Sequence, residues 1–137
     1  MTATAYASWR PTPREQASLA RQHHVESLGR VDQVWPWLAD HHGEVLAVDA
    51  PHATHPERFS YAELADRISL AAAAFRRIGV TTGDVVSLFA ENSPRWLVAD
   101  QGLMRAGAID AVRGAAAPVE ELRYILKDSA SVALVVQ

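Results

Sequence analysis

Histidine is the residue type in this chain that most readily binds a transition metal, and its six copies fall into three close pairs. A zinc site takes three or four ligands in a tetrahedral arrangement. Adjacent histidines on a helix point in different directions, so a pair alone does not enclose a metal ion. Only Asp49 and Glu57 flank the last pair. We therefore expect solvated histidines and no metal ligands; the pairs are His23 and His24, His41 and His42, and His52 and His55.

A nucleotide-binding α/β protein carries its phosphate-binding residues in the turn after its first buried strand, which in this chain is the predicted strand Val85–Ala90. Here it reads Glu91-Asn92-Ser93-Pro94 and has no glycine, whereas a dinucleotide fingerprint needs glycines there so that the backbone can approach the pyrophosphate. The sequence also has no glycine-rich phosphate loop ending in lysine and no Gly-x-Ser-x-Gly nucleophile turn. The residues alone therefore predict no catalytic, cofactor-binding or metal-binding side chain.

Two polar residues, Asn92 and Arg113, lie at the carboxyl ends of predicted strands. Ligands on open parallel sheets gather at the carboxyl ends of the strands, so these two are the candidate ligand-facing residues. Arg113 could face a carboxylate or a phosphate; the alternative is that it pairs with a surface acid or points to water. Ser93, at the start of a helix, could receive an anion on dipole grounds, but Glu91 beside it opposes that.

The elements that position these residues are predicted from hydrophobic pattern and helix caps. Short apolar runs rich in β-branched residues predict buried strands, and Ser93, Pro94 and Gly107 predict helix ends. The result is an α/β fold with a parallel βαβαβ unit. Its predicted elements are strand Val85–Ala90, helix Pro94–Arg105, strand Ala108–Val112, a helix opened by Pro118, and strand Ser131–Val136.

A helix and a short β-hairpin are predicted before this unit. The helix covers Val31–His42, with a kink or a start near Pro36, and the hairpin pairs Val45–Asp49 with Arg58–Tyr61. A helix of about five turns then runs from Tyr61 to Gly79. Its apolar face comprises Leu64, Ile68, Ala71, Ala72, Phe75 and Ile78, and its Ala71–Ala74 run predicts a close approach to a sheet. Residues 1–27 are predicted to be a poorly ordered lead-in.

The composition narrows the functional classes. A chain of 137 residues with 49% hydrophobic and 21% charged residues is typical of a globular protein. A net charge of -3 gives no electrostatic case for binding nucleic acid. The sequence has no cysteine and no apolar run long enough to span a membrane, and its first residues do not show the basic-then-apolar pattern of a secretory signal. Early arginines suggest an organelle transit peptide, but Glu15 argues against one. We expect a cytoplasmic protein without a transmembrane segment.

Five segments follow one another between residues 31 and 137: Phe59–Leu64, Gly79–Val86, Glu91–Trp96, Gly102–Ala108 and Glu120–Ser129. Their order resembles the start of adenylate-forming, acyl-activating (AMP-binding) enzymes. Within that superfamily the chain is most similar to long-chain fatty acyl-CoA synthetases and bacterial acyl–acyl-carrier-protein synthetases, partly because Asp110-Ala111-Val112-Arg113-Gly114 follows the fourth segment.

The resemblance implies a two-step ligase. ATP, with Mg²⁺, and a fatty acid would give an acyl-adenylate and pyrophosphate, and coenzyme A or an acyl carrier protein would then take the acyl group. In that family the phosphate loop, the adenine-binding segments and the catalytic lysine would follow Gln137. Lys127 cannot replace that lysine, since it lies on a helix of the N-terminal part.

Residues 28–137 are therefore expected to be a partial N-terminal subdomain, truncated before the phosphate loop. We expect it to be inactive alone, to bind no cofactor itself and to dock on the missing C-terminal sequence. In the full-length enzyme, attachment to a membrane periphery is a further expectation. The alternative is a non-catalytic α/β module that binds a ligand or a partner.

Overall fold

The structure is a computed structural model that describes residues 11–22, 28–53 and 56–136. The chain divides into two units, residues 1–34 and 35–137.

Helix α1 (Pro13–Gln22) lies in the stretch predicted to be a poorly ordered lead-in. The helix has a reciprocal cap. Glu15 Oε2 accepts from the backbone N and the Oγ1 of Thr12, each at 2.7 Å, and Thr12 Oγ1 accepts from Glu15 N at 3.3 Å. The other parts of the predicted lead-in, residues 1–10 and 23–27, lie outside the described residues.

The predicted helix near Pro36 and the predicted hairpin are both present. A 3-10 turn (Val31–Gln33) precedes α2 (Val34–His42), which starts two residues before the proline. Strands β1 (Leu46–Ala50) and β2 (Glu57–Ser60) then pair antiparallel, with Val48 opposite Phe59. The next helix, α3 (Tyr61–Arg77), begins with a capping box in which Ser60 Oγ accepts from Glu63 N and Glu63 Oε2 accepts from Ser60 N.

The predicted parallel βαβαβ unit is confirmed. Its elements are β3 (Val85–Phe89), α4 (Pro94–Ala106), β4 (Ile109–Arg113), α5 (Val119–Asp128) and β5 (Ala133–Val136). The strand order is β4-β3-β5, and β3 pairs in parallel with both neighbours. The chain leaves β3 to one side for β4 and returns across it to β5, so β3 marks a topological switch point.

Helices α3 and α4 pack closely against each other. Ala71 of α3 lies against Gly102 of α4, where an added Cβ would come within 2.7 Å of the Ala71 Cβ. The prediction that the alanine run approaches a sheet is therefore wrong at Ala71: the small residue makes room for a neighbouring helix. Ile78, predicted on the apolar face of α3, is also misplaced, since it is 71% exposed and follows the last helical residue.

The buried core of residues 35–137 lies in two clusters. The first joins the hairpin to α3 through Phe59, Leu64 and Ile68. The second joins α4 to the sheet through Val80, Val86 and Leu103. Apolar side chains of β5 and the residue before it remain exposed: Val132 is 62%, Leu134 45% and Val136 64% accessible. Among the described residues, no helix combines the length and the apolar character that crossing a membrane requires.

Candidate functional site

The loops after β3 and β4 meet at the carboxyl edge of the parallel sheet. Ala90 N donates to the Arg113 carbonyl oxygen at 3.2 Å. Glu91 Oε1 accepts from the backbone N–H of Ala116 at 3.2 Å, and a Cβ added to Gly114 would lie 3.2 Å from the same oxygen. A carboxylate therefore ties the two loops together at the position where dinucleotide-binding folds place glycines.

The two predicted ligand-facing residues both lie at this edge. Arg113 Nε donates to Glu121 Oε1 of α5 at 2.7 Å. This hydrogen bond, assisted by the charge of Glu121, raises the pKa of the Arg113 guanidinium. Such a pairing with a surface acid is the alternative stated for Arg113. Asn92 is exposed in the loop. A ligand-facing role for either residue stays a prediction.

The start of α4 is fixed by the residues predicted to cap it. Ser93 Oγ accepts from the backbone N–H of Trp96 at 3.1 Å, and Pro94 is the first helical residue, where a missing N–H is tolerated. The Ser93 side chain thus satisfies one of the N–H groups of the first turn that an anion would otherwise bind. The Ser93 cap and Pro94 therefore fix the position at which α4 begins beside the carboxyl edge of the sheet.

A cavity of about 300 Å³ lies beside the ends of β3 and β5. Its walls are apolar apart from Arg95 and the Trp96 indole; they comprise Leu88, Ala90, Arg95, Trp96, Ala99, Val135 and Val136. The Trp96 Nε1–H is buried and has no hydrogen-bond acceptor among the described residues. A buried donor left unpaired costs about 1–3 kcal/mol, so this wall suits an apolar group that brings an acceptor.

A second cavity, of about 510 Å³, lies between β2, α3 and the first turns of α4. Phe59 and Phe75 form part of its apolar wall, and Arg67 and Arg95 supply positive charge. The Arg67 guanidinium carbon lies 4.5 Å from the centre of the Phe59 ring, and its Nη1 is 3.9 Å from Glu57 Oε1. The positive charge of Arg67 is therefore partly engaged within the protein.

The described histidines do not form a metal centre. The His41 ring stacks on Trp37 with centroids 4.3 Å apart, and His42 meets the same indole edge-on at 5.8 Å. No group of three or more histidine, cysteine, aspartate or glutamate side chains in the described part of the chain has a metal-binding arrangement. His23, His24 and His55 lie outside the described residues.

A buried acid, Asp100, is the polar residue that sequence analysis missed. It is 8% exposed, and burial, reinforced by a hydrogen bond with Asp110, raises its pKa to about 6. Gln101 Nε2 donates to Asp100 Oδ2 at 2.6 Å. A signal was present in the sequence, because Asp100 lies three residues from both Leu97 and Leu103 and so shares the inward stripe of α4.

The chain belongs to the AMP-binding enzyme family, whose model matches residues 35–137. The fold and the family resemblance predicted from the sequence are thereby confirmed.

Two relatives from Arabidopsis thaliana are similar to most of this chain. The chain is 40% identical over 124 residues to "Probable acyl-activating enzyme 16, chloroplastic", covering 89% of this chain and 17% of the relative. It is 41% identical over 106 residues to a chloroplastic long-chain-fatty-acid–[acyl-carrier-protein] ligase, AEE15, covering 77% of this chain and 15% of the relative. The chain thus spans about a sixth of the length of these proteins.

Solved structures agree on the fold. An inhibitor-bound N-terminal domain of FACL13 from Mycobacterium tuberculosis matches with a TM-score of 0.74 and 21% identity, over 80% of this chain and 27% of that domain. A fatty acyl CoA synthetase of the same organism matches with a TM-score of 0.73 and 21% identity, over 78% of this chain and 21% of that protein. At this identity the likeness concerns the fold alone.

Proposed function

We propose that this chain forms N-terminal scaffold of an ATP-dependent, AMP-forming ligase that activates a fatty acid. The enzyme would make an acyl-adenylate and then an acyl thioester with coenzyme A or an acyl carrier protein. The observation that carries the proposal is the 41% identity, over 77% of this chain, to a fatty-acid–acyl-carrier-protein ligase. The geometry supports a scaffold role, since the carboxyl edge is closed by Glu91 and Arg113 is paired with Glu121.

The reaction itself would be performed by residues outside this sequence. ATP, Mg²⁺ and the acyl group need phosphate-binding donors and acidic metal ligands, and the sheet edge offers an ion pair and an exposed amide instead. The chain alone is accordingly proposed to be inactive and to bind no cofactor. A cytoplasmic location, with attachment to a membrane periphery in the whole enzyme, is part of the same proposal.

Exposed apolar residues support docking on further sequence of such an enzyme. Val132, Leu134 and Val136 alternate along the chain and so share one face of β5. Large apolar side chains left on one strand face are typical of a surface that another element covers. We propose that additional polypeptide of the full-length ligase packs on this face.

A chimera tests the assignment directly. Residues 35–137 would replace the matching segment of the Arabidopsis thaliana fatty-acid–acyl-carrier-protein ligase, and acyl–carrier-protein formation from ATP and a long-chain fatty acid would be measured. We expect activity within about tenfold of the unmodified ligase, a loss below 1.4 kcal/mol in transition-state stabilisation. The same chimera with Leu103→Asp, which puts a charge in the core, should be inactive.

The contrary result would be a chimera that melts cooperatively at the temperature of the parent ligase and yet forms no acyl–carrier protein. A non-catalytic binding module would instead predict that the chimera fails while the isolated chain binds a small molecule tightly.

A further inference from the structure

Arg95 lies in the first turn of α4, and its positive charge has no partner among the described residues. It forms no ion pair or hydrogen bond in that part of the chain, and the first turn of α4 contains no acidic residue. The positive end of the helix dipole disfavours a cation at this position and favours an anion. Because Arg95 is also exposed, an acidic group from another molecule or segment would meet an unpaired cation here.

Two cavities flank this arginine. Arg95 and Ala99 line both of them; they are four residues apart, share one face of α4, and are called the Arg95 ridge. Pro94 and Val98 line only the cavity of about 510 Å³, and Trp96 lines only the cavity of about 300 Å³. With 3.6 residues per turn, these side chains lie on opposite sides of the ridge, so the two cavities do as well.

The walls of both cavities are largely apolar. Phe59 and Phe75 line the larger cavity, and Leu88 and Val135 line the smaller one. Val136 also lines the smaller cavity and is 64% exposed, so this cavity is continuous with the exposed apolar residues of β5. A small anion on Arg95 would leave these walls in water. A polypeptide segment with apolar side chains on both sides of an acid would cover them.

The charge of the cavity walls favours an acidic occupant. In the larger cavity, Arg67 Nη1 lies 3.9 Å from Glu57 Oε1, which leaves the charge of Arg95 uncompensated. In the smaller cavity Arg95 is the charged lining residue. Glu91, which precedes the helix, accepts from the backbone N–H of Ala116 at 3.2 Å. Both cavities are therefore positive, although the net charge of the chain is -3.

Trp96 supplies an independent observation. It lines the smaller cavity, and its buried Nε1–H has no acceptor within the described part of the chain. Buried donors in folded proteins are normally paired. A polypeptide that packs beside the indole brings backbone carbonyl oxygens as well as side chains, so it offers the missing acceptor together with the apolar contacts.

We propose that the Arg95 ridge is a docking surface for a further segment of the full-length ligase, one that carries an acidic side chain between apolar side chains. The acid pairs with Arg95 at the positive end of α4, and the apolar side chains fill the cavities on either side. The inference rests on the proposed function, since the segment belongs to the ligase that this chain is proposed to scaffold. It adds the chemistry of the segment and the residues that receive it.

Arginine modification tests whether the ridge is covered. The 137-residue chain and the chimera that carries residues 35–137 within the fatty-acid–acyl-carrier-protein ligase would be treated with phenylglyoxal, and the modified arginines would be identified by mass spectrometry. Arg95 should react at least about tenfold more slowly in the folded chimera than in the isolated chain, since reaction would require local opening. In the chimera unfolded by urea the difference should disappear, which controls for the reagent.

A substitution series at Arg95 separates charge from packing. In the chimera the unfolding midpoint should decrease in the order Arg95→Lys, Arg95→Gln, Arg95→Glu, with about 2 °C or more between lysine and glutamate, because lysine keeps the charge and glutamate repels the docked acid. In the isolated chain this order should be absent or reversed, because an acid suits the first turn of a helix. Arg77→Glu, at an exposed arginine that lines neither cavity, is the control and should not reproduce the order.

The outcomes distinguish this proposal from the proposed function. Equal modification rates of Arg95 in the isolated chain and in a folded, active chimera would overturn the docking surface and leave the proposed function standing. Protection that grows with the concentration of the isolated chain would assign the ridge to a second copy, and protection that requires added ATP or fatty acid would assign it to a small anion; either would overturn the proposal. A cooperatively melting chimera that protects Arg95 but forms no acyl–carrier protein would contradict the proposed function alone. The modification needs no variant, so it decides even where Arg95→Glu prevents folding.

Discussion

Gly102 of α4 faces Ala71 of α3 so closely that a Cβ atom added to the glycine would come within 2.7 Å of the alanine Cβ. The backbone of α3 is also near, with the Ala71 carbonyl carbon and the Ala72 nitrogen each 3.4 Å from that position. Real Cβ atoms do not approach so closely, and neither partner has a flexible side chain that could move. The close approach of α3 and α4 at this point therefore depends on glycine, which has no Cβ, at position 102.

Gly102→Ala should destabilise the chain although alanine is the better helix former. The gain in helix propensity is about 1 kcal/mol, while forcing a methyl group into a packed contact costs about 1–3 kcal/mol. We expect a net loss of about 1 kcal/mol in the free energy of unfolding by urea. Gly29→Ala, where the nearest atom is 3.9 Å from the new methyl group, is the control and should be close to neutral.

A double substitution separates the contact from propensity. Ala71→Gly removes the opposing methyl group, so that Gly102→Ala should be better tolerated in that background, with a coupling of about 1 kcal/mol. Additive effects of the two substitutions would show that the helices are not in contact here.

Alanine substitutions at two glycines with positive φ separate the cost of backbone strain from the cost of steric crowding. Gly107 ends α4 at φ 88°, and a Cβ there would lie 2.7 Å from Thr82 Oγ1 and 3.2 Å from its Cγ2. Gly79 follows α3 at φ 101° and has open space around it. Alanine in a left-handed conformation costs about 1–2 kcal/mol. Gly79→Ala should lower the free energy of unfolding by this backbone cost alone. Gly107→Ala should lower it by at least about 1 kcal/mol more, because it adds the clash with Thr82.

Rotating Thr82 relieves the clash only in part, because the Thr82 Cβ does not move and would still lie 3.3 Å from the new methyl group. Thr82→Ala should therefore recover part of the loss in the Gly107→Ala protein, as measured by urea unfolding. Equal losses for the two glycine substitutions would contradict the packing described at Gly107.

Removing the N-terminal cap of α4 should measurably lower the free energy of unfolding. Ser93→Ala removes the acceptor for the Trp96 N–H at 3.1 Å and should lower the free energy of unfolding by about 1 kcal/mol. Ser93→Thr keeps an acceptor and should lose much less. Hydrogen exchange at the Trp96 amide gives a local readout: it should accelerate in the alanine variant and stay protected in the threonine variant.

Local signals allowed the strands and helix ends to be predicted from the sequence. Ser93, Pro94 and Gly107 act through their own backbone neighbours, so their roles are readable without knowing the fold. Ala71 is different, since a run of alanines permits a close approach but does not say to what. Its partner, Gly102, lies on a different helix, α4, and carries no local signal for this contact.

The buried acid shows the same limit for the candidate site. Asp100 lies on an apolar stripe, yet Asp110 is on a strand ten residues later, and only the β3–α4–β4 geometry brings the two carboxyl groups together. Arg113 was predicted at a strand end, but its pairing with Glu121 depends on where α5 returns. The sequence therefore did not predict contacts between residues that are far apart along the chain.

The exposed face of β5 should cause self-association of the isolated chain. Leu134→Lys places a charge on the uncovered strand face and should reduce the concentration-dependent rise in mass seen by light scattering. Leu70→Lys alters an equally apolar but helical surface residue, 71% exposed on α3, and should change the association less. A wild-type chain that stays monomeric at every concentration would argue against an uncovered docking face.

Fatty-acid-dependent exchange of pyrophosphate into ATP tests the central claim most directly. The 137-residue chain is predicted to show no exchange above background with any long-chain fatty acid. The chimera carrying residues 35–137 within the fatty-acid–acyl-carrier-protein ligase is predicted to exchange readily. Exchange catalysed by the isolated chain would contradict the account, because it would place the reacting groups among residues to which the structure gives only a supporting role.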